Sequence, residues 1–196
     1  MEAVSKSTTW RTVDLLYCSA FATLMMVGAN ITSFVPFLVA GGVPITLQTF
    51  FGVLAGLVLG RVKGAVACTV YMCIGLAGAP VFAKFSGGPS ALVSPTFGFI
   101  VSFIICAYIA GAIVERYQTR KAYVASGLIT MILIYLLGTN WMYFAYQLWA
   151  AAPEGFSYKI AWAWMVPPMP KDFILAIFAG LLAYRLQKTL RILPIK

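Results

Sequence analysis

Apolar segments long enough to cross a bilayer follow one another along this chain with little between them, and that limits the folds open to it more than any other feature. A spanning helix needs about 20 mostly apolar residues, and in hydrocarbon every backbone polar group must be satisfied within the protein. With 196 residues, 62% of them hydrophobic and 10% charged, and a mean hydropathy of +0.92, the chain falls outside the range of soluble domains. The expectation is an all-α integral membrane protein: six transmembrane helices in one bundle, a single domain over residues 1–196, with no soluble catalytic domain.

The expected spans are Leu15 to about Val39, Ile45 to Gly60, Gly64 to Gly78, Pro95 to Val114, Tyr123 to Trp149 and Asp172 to Leu186. The first imitates a signal peptide, but its A-x-A pattern, Ala20-Phe21-Ala22, falls inside the apolar run instead of after it, so the helix is expected to be retained. It turns polar at Asn30, Thr32 and Ser33 before Pro36, as an end facing a cavity would. Gly41-Gly42-Val43-Pro44 reads as a turn, and Arg61 with Lys63 as a short basic loop. The stretch Ala150 to Pro170, with Trp162, Trp164, Pro167 and Pro168, has the aromatic, amphipathic character of an interfacial segment.

Basic residues cluster at the ends of the apolar segments. With a cytoplasmic amino terminus and an even number of spans, both termini are cytoplasmic and eleven of the 14 lysines and arginines share that side, leaving Lys84, Lys159 and Lys171 outside. The net charge of +9 is thereby explained by the membrane, and no nucleic-acid partner is expected. Cys18, Cys68, Cys73 and Cys106 lie in apolar segments and read as buried free thiols. The absence of histidine removes Ser-His and Cys-His nucleophile chemistry and most zinc sites. No enzymatic activity, catalytic residue, metal or cofactor is expected. Nor is there a G-x-x-x-x-G-K-[ST] phosphate loop, and the spans show no buried acid or histidine relay. A binding protein without an energy source of its own implies a partner that has one.

One polar insertion breaks the pattern: Ala79 to Phe99, APVFAKFSGGPSALVSPTFGF. Irregular backbone between two spans is tolerated at membrane depth only where it is buried in protein or lines a solvated pocket. We therefore expect a structured outer loop between the third and fourth helices that forms part of a small-molecule site. Phe82, Phe85, Phe97 and Phe99, with Pro95, would supply apolar walls, and Ser86, Thr96 and Lys84 polar groups. Other candidates are Gln48 beside Thr46 and Thr49, Asn140 and Tyr143 on one face of the fifth span with Trp141 and Tyr146, and the pair Lys171-Asp172 opening the last helix. Asp172 suits a helix cap, and as an ionisable residue facing the bundle interior it is also a candidate ligand anchor. On the first helix, Cys18 with Ala22 and Ser19 with Thr23 form small-residue faces suited to close helix approach, within the bundle or with a partner.

GGVPITLQTFFGVLAGLVLG (41–60), GLAGAPVFAKFSGGPSALVSPTFGFI (75–100) and Pro-Lys-Asp at 170–172 resemble the BioY biotin transporters, the substrate-binding S-components of energy-coupling factor (ECF) transporters. The resemblance implies a six-helix S-component that holds biotin near the outer face. It also implies association with a transmembrane coupling subunit and two cytoplasmic ATPases, with Ser19 and Thr23 at the docking face. Family members usually carry a lysine three residues after the aspartate; here that position is Leu175 and the lysine precedes Asp172. Asp172 would meet the ureido N–H groups, and Lys84 or Lys171 the carboxylate. Another carboxylated vitamin, lipoate or pantothenate, and a stand-alone membrane facilitator are the alternatives.

Overall fold

The computed structural model describes residues 10–31, 39–40 and 43–190. Seven helices account for most of them: α1 (Thr12–Asn30), α2 (Gln48–Leu59), α3 (Arg61–Leu76), α4 (Phe97–Arg116), α5 (Arg120–Leu148), the short α6 (Tyr158–Ala163) and α7 (Met169–Leu190). Two-residue strands β1 (Val39–Ala40) and β2 (Val43–Pro44) pair antiparallel ahead of α2. Among the described residues, α1, α4 and α5 are long and apolar enough to cross a membrane, and α2 is a shorter apolar helix.

The element boundaries follow local chemistry. α1 starts where the Asp14 carboxylate accepts the Arg11 backbone N–H at 3.1 Å, satisfying a free donor at the helix end. It stops at Asn30, short of the expected Val39, because Val39 is already extended and paired with Pro44; Thr32 and Ser33 lie outside the described residues. Arg61 and Lys63 are not in a loop. Gly60 adopts φ 84°, open to glycine at little cost, so one residue turns α2 into α3 and both cations fall in the first turn of α3. Thr119 caps α5 by accepting from the Ala122 N–H at 3.2 Å. The last helix begins at Met169, ahead of the expected Asp172, since proline at 170 is tolerated in a first turn.

α4 lies centrally, packed on α2, α3 and α5; α7 packs on α5 and α2, and α1 on α3 and α2. Close approach depends on small residues: a Cβ at Gly56 would sit 2.3 Å from the Ala107 carbonyl oxygen, and one at Gly111 2.0 Å from the Arg61 nitrogen. The main core gathers Leu57, Tyr71, Phe82, Phe103 and Ala107, and a second cluster joins Met131, Tyr135, Met142, Ala161 and Met165 beneath α6. Outward-facing positions are also apolar, among them Leu15, Leu16, Val27, Ile129, Ile132, Phe173 and Ile174. A protein oily on both surfaces is built for a bilayer.

Far from the cavity described below, Asp14 is buried in the first turn of α1 and its Oδ1 lies 2.7 Å from Lys63 Nζ. Asp14 lies just outside the span expected from Leu15, yet the structure buries it at the helix end as one half of an ion pair. The apolar run begins at Leu15, but the helix begins three residues earlier and takes Asp14 in with it. Glu115, near the end of α4, holds the same turn from the other side, accepting the Arg61 N–H at 2.8 Å.

Candidate functional site

A cavity of about 420 Å³ opens between the α3–α4 connection, the start of α2, the middle of α5 and the start of α7. That volume suits a small organic ligand. Phe82, Phe97, Phe99, Ile100, Phe103, Ile134, Met165 and Pro168 give it apolar walls, while Lys84, Ser86, Ser90, Ser94 and Thr96 come from the loop. Thr46, Gln48, Thr49, Tyr135, Tyr146 and Asp172 supply the remaining polar atoms.

The connection between α3 and α4 is irregular but ordered by its own bonds. Two 3-10 turns, Ala83–Phe85 and Pro89–Val93, punctuate it. Phe82 N–H donates to the Ser86 carbonyl at 2.9 Å and closes a tight bend, and Gly88 N–H returns to the Gly75 carbonyl at 2.7 Å. Two indoles, one in α5 and one just past its end, grip the far end: Trp149 Nε1 donates to the Val93 carbonyl at 2.7 Å and Trp141 Nε1 to that of Ser94 at 3.3 Å.

Asp172 is the buried charge of the cavity, 4% exposed. Its Oδ2 accepts from the Tyr135 hydroxyl at 2.7 Å, and its Oδ1 lies 2.8 Å from Lys171 Nζ yet receives no aligned hydrogen bond. Lys171 also donates to the Thr46 carbonyl. From there the polar contacts continue: Thr46 Oγ1 donates to Gln48 Oε1 at 3.1 Å, Gln48 Nε2 to the Tyr71 hydroxyl at 2.5 Å, and that hydroxyl to the Val81 carbonyl at 3.2 Å. One series of polar contacts thus joins α5, α7, α2, α3 and the loop.

Of the candidates from sequence, Asp172, Lys84, Phe82, Ser86, Pro95, Thr96, Phe99 and Gln48 meet at this cavity. Four do not line it. Lys171, one residue before Asp172 on the helix, turns to Thr46. Phe85 points outward, 52% exposed, because the bend at Lys84 reverses the chain. Asn140 donates to its own helix at Leu136 and accepts from Tyr158 of α6 at 3.4 Å. Tyr143 packs against Phe144, Phe156 and Tyr158. On α1, Cys18 and Ala22 are buried inside the bundle, Cys18 Sγ 3.4 Å from the Lys63 carbonyl, so they offer no docking face. Ser19 and Thr23 are exposed, each hydroxyl bonded to the carbonyl four residues back. Cys73 is exposed, against the expectation for the thiols, since α3 turns that side outward.

Sequence reasoning missed Tyr135 and Tyr71. The available signal was a phenol in the middle of an apolar span, where its hydroxyl must find a partner.

A helical bundle clad in apolar side chains, enclosing a cavity sized for a small organic ligand with one buried carboxylate, defines a membrane-embedded small-molecule binding protein. The sequence matches the BioY family over residues 3–192, and the chain belongs to that family. BioYB of Bacillus subtilis (strain 168) is 41% identical over 175 residues, covering 88% of this chain and 86% of the relative. The biotin transporter BioY of Thermotoga maritima is 35% identical over 176 residues, covering 89% and 96%. The fold is similar to the crystal structure of the S-component for biotin from an ECF-type ABC transporter, with a TM-score of 0.74 at 18% identity, covering 92% of this chain and 95% of that one.

Proposed function

We propose that this chain is the high-affinity biotin-binding subunit of an ECF-type, ATP-driven vitamin uptake transporter, and that it is not an enzyme. The observation that carries the reading is the Asp172 carboxylate, buried at the cavity wall with one oxygen bonded to Tyr135 and the other paired with Lys171 at 2.8 Å without an aligned hydrogen bond, so that its remaining acceptor capacity is available to a ligand donor. The ureido ring of biotin presents N–H groups to such an acceptor, and a charge-assisted bond in a dry site is among the stronger polar contacts available. The sulfur ring and aliphatic chain of biotin match the apolar walls. Its carboxylate falls to Lys84 and the loop hydroxyls, which line the cavity, whereas Lys171 does not.

In this reading α1 to α5 and α7 are the six spans of one domain and α6 lies along the interface. The loop is on the outer face and both termini are cytoplasmic, the arrangement favoured by the distribution of lysine and arginine. A transmembrane coupling subunit and two cytoplasmic ATPases supply the energy, and Ser19 with Thr23 on α1 mark the docking side. The cavity captures its ligand from outside, the segments near Pro44 and over Ala79 to Phe99 close, and reorientation in the full transporter releases it inside. Calorimetric titration of the purified chain with biotin, lipoate and pantothenate tests this. Tight binding of biotin alone is the expected result, and a preference for either other vitamin would overturn it.

A further inference from the structure

The bend that carries Lys84 is backbone of an unusual kind. Lys84 and Phe85 both adopt left-handed conformations, φ 60° and 54°, and they are the positive-φ positions occupied by residues other than glycine among the described residues. Two such residues in succession are unfavourable unless the surroundings hold them. Here one side chain supplies much of that hold. Asn30, at the end of α1 and 7% exposed, accepts the Phe85 N–H at its Oδ1 (2.7 Å) and donates from Nδ2 to the Val81 carbonyl (3.2 Å). It therefore spans the bend from both ends, with Lys84 between the two bonded positions. Lys84 in turn lines the cavity, whereas Asn30 does not.

We infer that Asn30 is a positioning residue: it fixes the left-handed bend at Lys84–Phe85 and so aims the Lys84 ammonium at the carboxylate of the bound ligand. The inference rests on the reading that Lys84 meets that carboxylate. Asn30 acts only through Lys84, so its removal should penalise a ligand's negative charge and leave the remainder of the ligand indifferent. A purely structural role, by contrast, would weaken all ligands alike.

The test uses the full chain in detergent, titrated with biotin and with the uncharged biotin methyl ester. Lys84→Met is measured first, and it should lower affinity for biotin at least tenfold while changing that for the ester less than twofold. Asn30→Leu should reproduce the same selective loss, and the double variant should be no more selective than Lys84→Met alone. If Asn30→Leu does not yield folded protein, Asn30→Ser, which is too short to span the bend, is measured for the same ratio. Equal losses for both ligands, or no loss for either, in a folded Asn30 variant would overturn the inference while leaving the Lys84 assignment standing. If Lys84→Met fails to separate the two ligands, the assignment of Lys84 falls and the inference falls with it.

Discussion

The Tyr135 hydroxyl lies 2.7 Å from Asp172 Oδ2, two buried side chains from α5 and α7 meeting at the wall of the cavity. A hydrogen bond to a charged acceptor contributes about 1.5–3 kcal/mol. Tyr135→Phe removes the donor and keeps the ring, so biotin affinity is expected to fall roughly tenfold or more. In an Asp172→Asn background the same change should have little further effect. Titration of the four variants measures the coupling, and strictly additive losses would show that the two residues act independently.

Lys171 balances the other oxygen of Asp172 at 2.8 Å, itself about one third exposed. Breaking a buried pair by removing one partner typically costs about 3–5 kcal/mol, and partial exposure of the lysine brings the expected loss for Lys171→Met to about 2 kcal/mol. The melting temperature in detergent should fall, and added biotin should recover part of the loss because a ligand that binds only the folded state stabilises it.

Lys63 and Asp14 form the corresponding pair at the opposite end of α1. Asp14 and Asn30 are separated by sixteen residues of helix, about 24 Å at 1.5 Å per residue. Lys63→Ala should lower the melting temperature without changing biotin affinity by more than about twofold. A large affinity change there would mean that the two ends are coupled through the bundle.

Gly111 faces the α2–α3 turn so closely that an added Cβ would lie 2.0 Å from the Arg61 nitrogen. The obstacle is backbone, which cannot rotate away as a side chain would. Gly111→Ala should therefore destabilise by several kcal/mol or prevent recovery of monodisperse protein. Fluorescence-detected size exclusion reads that outcome directly.

Much of this architecture was legible because its causes are local. Apolar runs of spanning length specify helices, and prolines, glycines and serines between Ala79 and Phe99 specify irregular chain that then needs a cavity to line. Asp172 stood out because a carboxylate among apolar residues is costly unless used. Tyr135 is hidden in the run Met131-Ile132-Leu133-Ile134-Tyr135-Leu136-Leu137, where a phenol looks like one more core residue; only the crossing of α5 against α7 gives its hydroxyl a partner. Helical periodicity grouped Asn140, Tyr143 and Tyr146 but could not say which of them turn inward. Packing of α6 takes Asn140 and Tyr143 to itself and leaves Tyr146 at the cavity. On α1 the two small-residue faces looked alike, and contact with α3 buries Cys18 while leaving Ser19 outside.

The account depends most on Asp172 as the polar anchor for biotin. Calorimetric titration of biotin into the purified chain and into Asp172→Ala tests it directly. Nanomolar binding by the original chain and its collapse in a folded, monodisperse variant is the expected result. Binding of equal strength in both would contradict the assignment of the anchor, and failure of the folded original chain to bind biotin would contradict the proposed ligand.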